Sequence, residues 1–129
     1  MVKTKGIAHF SIPVTDTKRS KEWYTRHLGM KMLADAGNMV FLDSGGDCII
    51  LVKVDKPIST SHVVDMHHSF LVDHDEYEAA IKDLKANGVE VLYSEDRQGG
   101  VVNGPRAYFH DPDGTVLEFI QLTSYAGAQ

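Results

Sequence analysis

The stretch Gly6-Ile-Ala-His-Phe-Ser-Ile-Pro-Val14 alternates in character along its length. Phe10, Ile12 and Val14 fall on one side of an extended chain, and His9, Ser11 and Pro13 on the other. It reads as a half-buried strand with one polar face. A second stretch, Met66-His-His-Ser-Phe-Leu-Val72, carries the same pattern 58 residues on (9 to 67), and His9 and His67 each stand five residues before a valine. Strand parity therefore sets His67, Ser69 and Leu71 on the face equivalent to that of His9. It sends His68, with Phe70 and Val72, to the opposite side.

Outward from these strands the repeat continues. In the first half Asp16 or Thr17 caps a helix that carries Ser20, Trp23, Tyr24, His27 and Leu28 and stops at Gly29. In the second, Asp75 and Glu78 make a capping box before Tyr77, Ala80, Ile81 and Leu84, and Gly88 ends the helix. The two glycines are 59 residues apart (29 to 88). Three strand-like runs follow each helix: 30–33, 39–42 and 48–54 in one half, 89–93, 106–110 and 115–122 in the other. The turn Asp111-Pro-Asp-Gly114 joins the last two. The expected fold class is α+β, with two tandem βαβββ modules in a single domain over residues 1–129. Module 1 spans about 5–55, a linker 56–62, and module 2 about 63–123.

Composition narrows the function. A chain of 129 residues, 43% hydrophobic and 24% charged, is long enough for one compact core. Its 18 acidic against 13 basic residues give a net charge of −5, which argues against a nucleic-acid partner. The longest apolar run, Cys48-Ile-Ile-Leu-Val52, is far too short to span a bilayer. A single cysteine excludes an intrachain disulfide framework, and with no signal-like N-terminal stretch the expected location is cytoplasmic. Cys48, Trp23 and Leu28 read as core. Seven histidines are the distinctive feature.

Glu118 stands inside the otherwise apolar run Thr115-Val-Leu-Glu-Phe-Ile120, where an uncompensated carboxylate is expensive. A cation is the natural partner. His9 and His67 at equivalent places, with Glu118 on a neighbouring strand, supply two imidazoles and one carboxylate. That is the facial donor set that leaves positions open for substrate. The first half has Ile50 where the second has Glu118, so the repeat supplies no fourth ligand.

The chain resembles the vicinal oxygen chelate superfamily, which includes glyoxalase I, extradiol dioxygenases, fosfomycin-resistance enzymes and bleomycin-resistance proteins. The resemblance covers residues 5–123 and rests on Ile7-Ala-His9, on Trp23-Tyr followed by Leu28-Gly29, on His67-His-Ser-Phe-Leu-Val-Asp73 and on Tyr108-Phe-His-Asp-Pro-Asp-Gly-Thr-Val-Leu-Glu118. It implies paired modules in a cupped, barrel-like mixed sheet with helices outside. The same resemblance implies one divalent metal on His9, His67 and Glu118, with Fe2+ or Mn2+ ahead of Zn2+ or Ni2+. A small-molecule substrate would chelate the metal through adjacent oxygens. Members of this length commonly form homodimers.

Within that family the tyrosine-to-glutamate spacing matches the dioxygenases, which makes Tyr108 a substrate-orienting catalytic residue beside Glu118. Dioxygenase-like or glyoxalase-like lyase or isomerase chemistry is the expectation. The alternatives are a fosfomycin-type transferase or hydrolase and a metal-free binding module of the bleomycin-resistance kind. A phosphonate needs cations, for which Arg97, Arg106 and Lys53 are the candidates. The segment 95–104, with Arg97 and Gln98, reads as a lid or substrate-contact loop, and His62 as a loop candidate for an acid–base histidine.

Overall fold

The computed structural model describes residues 1–58 and 66–125. His62 and part of the expected linker lie outside them. The chain divides into two compact units, Met1–Ile58 and Ser59–Gln129. The first runs β1 (His9–Val14), α1 (Thr17–His27), β2 (Lys31–Asp35), β3 (Met39–Ser44) and β4 (Asp47–Lys53). The second runs β5 (His68–Leu71), α2 (Tyr77–Ala86), β6 (Val91–Arg97), β7 (Val102–His110) and β8 (Val116–Ile120), and adds β9 (Ser124–Tyr125). Both units are βαβββ, as the repeat implies. Their sheets have the same order, β1-β4-β3-β2 and β5-β8-β7-β6, with the first and last strands of each module parallel.

Register confirms the internal alignment. Ser11 lies opposite Ile50 in the first sheet, and Ser69 opposite Glu118 in the second. His9 and His67 each precede that serine by two positions. In each sheet one face is packed: Ile12, Val14, Leu42, Ile49 and Leu51 are buried in the first, and Phe70, Phe109, Leu117 and Phe119 in the second. Phe109 meets Phe119 edge to face at 4.8 Å, an arrangement aromatic pairs favour.

Helix ends follow local chemistry with one exception. Asp16 caps α1, its Oδ1 accepting from the Arg19 amide at 3.0 Å. Gly29 adopts φ 63° just past the last turn, where a left-handed residue closes a helix. The expected capping box of α2 does not form. The helix starts at Tyr77 behind Glu76, without a side-chain cap. The backbone carbonyl of Asp73 instead takes the amides of Glu76 and Tyr77 at 3.0 and 3.1 Å, so the carboxylate of Asp75 is not needed there. The buried side of α1 is Ser20 and Tyr24, whereas Trp23 and Leu28 are only half-buried. Cys48 is also half-buried, beside His9 on the adjacent strand.

The largest correction concerns segment 95–104. It is not a loop but the outer part of a β-hairpin, in which Glu95, Asp96 and Arg97 pair with Arg106, Pro105 and Gly104. Only the tip between β6 and β7 is a turn. Residues 121–125 then fold back so that β9 pairs with β7, Asn103 facing Ser124 and Val102 facing Tyr125. This crossing passes close over Gly104. A Cβ there would lie 2.0 Å from the Gln121 carbonyl oxygen, and its φ of +126° is unfavourable for any other residue. Gly104→Ala is therefore expected to destabilise the protein by about 3 kcal/mol or more. The check is the midpoint of denaturant unfolding, with Gly100→Ala as the mild comparison, because its nearest neighbour is a side-chain atom at 3.4 Å.

Candidate metal centre

One row of side chains crosses the second sheet on its open face: Tyr93, Tyr108, Glu118 and Ser69 are successive register partners on β6, β7, β8 and β5. The next row on that face is Glu95, Arg106, Ile120 and Leu71. His67, two positions before Ser69, shares the face by alternation. The β5, β7 and β8 members of these rows, with His67, line a cavity of about 550 Å³ lying within the second unit.

Glu118 sits at its floor, 2% exposed. Its Oε1 is 3.3 Å from His67 Nε2. Its Oε2 is buried and accepts no hydrogen bond. The closest cation to that oxygen is Arg106, whose Nη1 is 3.7 Å away, beyond hydrogen-bonding reach. Arg106 is itself 3% exposed, and its side chain folds back along its own strand. Nη2 donates to the Val102 carbonyl at 2.7 Å and Nε to the Gly104 carbonyl at 3.3 Å. Gly104, at φ 126°, is itself one of the two residues whose carbonyls hold the guanidinium, within a strand that stays paired with β6.

The donor set fits a divalent ion. A buried carboxylate oxygen without a hydrogen bond, with an imidazole nitrogen beside the same carboxylate, offers two donors of the kind a divalent ion takes. Among the described residues of this unit no third His, Cys, Asp or Glu joins them. The expected third ligand, His9, stands exposed at the head of β1 in the first unit. The parity argument for the adjacent histidines holds. His67 lines the cavity while His68 pairs with Leu117 towards the packed side. Burial there, with the neighbouring His67 charge adding to it, holds the His68 imidazole below its ordinary value.

Tyr108 is 4% exposed, edge-on to the His67 ring at 5.3 Å. Burial pushes its phenol above the ordinary value, and the Glu118 charge adds to the effect. Arg97 reaches the cavity wall and is held by Glu95, its Nε donating to Oε1 at 2.7 Å, while the Tyr93 phenol donates to the other oxygen. That phenol first, and Arg97 after it, keep the Glu95 carboxyl below the usual range. Gln98, expected to touch substrate, does not reach the cavity. It lies on the other parity from Arg97 and donates to Asp96 Oδ1 at 2.6 Å. Ser69 was not expected at the cavity, and neither was the Tyr93–Glu95 pair that holds Arg97. Extending the β6 strand beyond residue 93 would have set Glu95 on the same face as Tyr93.

A family model described as Glyoxalase/Bleomycin resistance protein/Dioxygenase superfamily matches residues 6–119. Metallothiol transferase FosB of Staphylococcus haemolyticus is 29% identical over 116 residues, covering 88% of this chain and 81% of that protein. FosB of Staphylococcus epidermidis matches at the same identity and coverage. Among solved structures, an integron cassette protein from the mobile metagenome of the Halifax Harbour sewage outfall has a TM-score of 0.75 and 28% identity, covering 92% of this chain and 100% of that one. A mutant of the fosfomycin resistance protein FosX of Listeria monocytogenes, complexed with Mn(II) and 1S,2S-dihydroxypropylphosphonic acid, has a TM-score of 0.77. At 19% identity over 92% of this chain and 90% of that one, it shares the fold. No helix among the described residues is long and apolar enough to cross a membrane.

The raised value of Tyr108 has a measurable consequence. The folded state holds the phenolic proton more tightly than the unfolded chain. The resulting stabilisation is complete below the ordinary tyrosine value of about 10 and is lost as pH rises through the folded value. Tyr108→Phe should remove one step above the ordinary tyrosine value from the phenolate absorbance titration and make alkaline loss of stability shallower. A Tyr108 step at or below the ordinary value would contradict the burial described.

Proposed function

The chain belongs to the Glyoxalase/Bleomycin resistance protein/Dioxygenase superfamily, and we propose that it is a metal-dependent enzyme of the fosfomycin-modifying kind. It acts on a small anion with adjacent oxygens and opens it by adding water or a thiol. The observation that carries this reading is the pairing, in one cavity, of an oxygen donor without a hydrogen bond, Glu118 Oε2, with a buried, rigidly held cation, Arg106. The first is what a metal needs and the second what a phosphonate needs. The names of the curated relatives favour this subclass over the dioxygenase or lyase chemistry that the tyrosine-to-glutamate spacing suggested.

In this reading His9, His67 and Glu118 hold the ion, which supplies Lewis acidity to a substrate oxygen. Arg106 and Arg97 receive the anionic group. Because the Arg106 guanidinium is fixed by two carbonyls, it needs little reorganisation when the anion arrives. Tyr108, kept protonated by its surroundings, donates a hydrogen bond to the oxygen that gains charge as the ring opens. Mn2+ is the first ion to test, Fe2+, Zn2+ and Ni2+ the others. A homodimer and a cytoplasmic location complete the reading.

Two measurements test it. His9→Ala, His67→Ala and Glu118→Ala should each weaken Mn2+ binding by roughly 100-fold or more, and His68→Ala should not. Retained binding in Glu118→Ala removes the metal centre. With Mn2+ present, the purified protein should consume fosfomycin in phosphorus NMR, and Arg106→Gln should lower kcat/KM by about 100-fold. Metal binding without turnover, with water or any thiol, would reject the substrate assignment and leave the centre standing.

A further inference from the structure

Part of the cavity has no role in the chemistry above. Leu71, Leu122 and Tyr125 are 73%, 37% and 42% exposed, and all three line it together with Val102 and Ile120. They come from β5, from the segment after β8, from β9, from β7 and from β8. Single exposed apolar side chains are ordinary, but a contiguous group from several elements beside a charged centre marks a ligand groove. The wall is also built firmly. Asn103 Nδ2 donates to Ser124 Oγ at 2.9 Å and to the Gly100 carbonyl at 2.8 Å, and its Oδ1 accepts from the Gly100 amide at 2.8 Å. The Thr123 amide donates to the Asn103 carbonyl at 2.9 Å. One buried asparagine thus fixes the hairpin tip and β9 together.

Size points the same way. Even at the ~30 Å³ that each heavy atom takes in liquid water, a three-carbon phosphonate fills about half of the 550 Å³. We propose that the substrate is an amphipathic anion. Its oxygen-rich head sits at Glu118, His67 and Arg106, and its tail, an alkyl chain or ring, lies along Leu71, Leu122 and Tyr125. The head assignment rests on the function proposed above; the tail rests on the wall alone.

The experiment is calorimetric titration of the Mn2+-loaded protein with methyl-, butyl- and hexylphosphonate. Burying each methylene should tighten binding roughly threefold, so that hexylphosphonate binds on the order of 100-fold more tightly than methylphosphonate. Leu122→Asp and Tyr125→Ser, both at partly exposed positions, should cut that ratio by about tenfold each. Circular dichroism confirms that the variants are folded. A flat series in the unaltered protein overturns the proposal, as does a steep series that neither variant changes. A flat series with a dimer that Leu122→Asp dissociates overturns it too, and identifies the wall as an interface between copies. Failure of the head assignment is read separately: methylphosphonate affinity would then be indifferent to Mn2+ and to Arg106→Gln, while chain-length dependence still reports on the tail.

Discussion

A carboxylate buried in the middle of a strand constrains this molecule more than any other single group. Glu118 lies on β8, which has β5 on one side and β7 on the other, so no edge gives it access to water. Desolvating such a charge costs several kcal/mol even after the surroundings relax. The neighbouring strands meet part of that cost. β7 contributes Arg106, and the residue just before β5 contributes His67. Neither gives Oε2 a hydrogen bond. The same position placed on the packed face would be untenable; on the open face it lies against a cavity. Much of the second unit is arranged around this one residue, including the Arg106 side chain, which folds back onto the carbonyls of Val102 and Gly104.

Comparison of the two units shows how little sequence change separates a structural module from a chemical one. Ile50 and Glu118 occupy the same register position opposite a serine. In the first unit that position adds to an apolar sheet face, and Ile50 is buried. In the second it carries the charge, and the flanking positions differ to suit it: Arg106 and Tyr108 on β7, where β3 has Phe41 opposite Ile50.

What could be read from the sequence was whatever local period and repeat encode. Alternation in 6–14 and 66–72 sorted His67 from His68, because a slip of one residue would have put Phe70 in water and the histidine in the core. Asp16 and the helix-ending glycines were legible because capping is a contact between residues a few positions apart. The illegible features depend on distant partners. The arms of the β6–β7 hairpin carry charged and glycine residues that resemble a loop, and are strand only because Glu95, Asp96 and Arg97 find partners. The strand β9 exists because Asn103, 21 residues away, holds Ser124. Asp75 followed by Glu78 satisfies a capping rule, yet the helix starts at Tyr77, with the Asp73 carbonyl taking the amides of Glu76 and Tyr77.

The arginine shows why residue type matters at this centre as much as charge. A guanidinium has five donors in a rigid plane, and Arg106 commits Nε and Nη2 to two carbonyls of its own strand. The third nitrogen, Nη1, lies 3.7 Å from the Glu118 carboxylate. A lysine ammonium would be a point charge on a flexible stem. It could neutralise Glu118 or hold the two carbonyls, but could not keep both geometries at once. The division of donors makes one side chain serve two needs. It fixes the backbone of β7 where residues 121–123 cross Gly104, and it keeps a cation beside an oxygen that accepts no hydrogen bond. A cation bonded directly to Oε2 would stabilise the empty protein more and close the centre, so the 3.7 Å gap fits binding better than it fits stability.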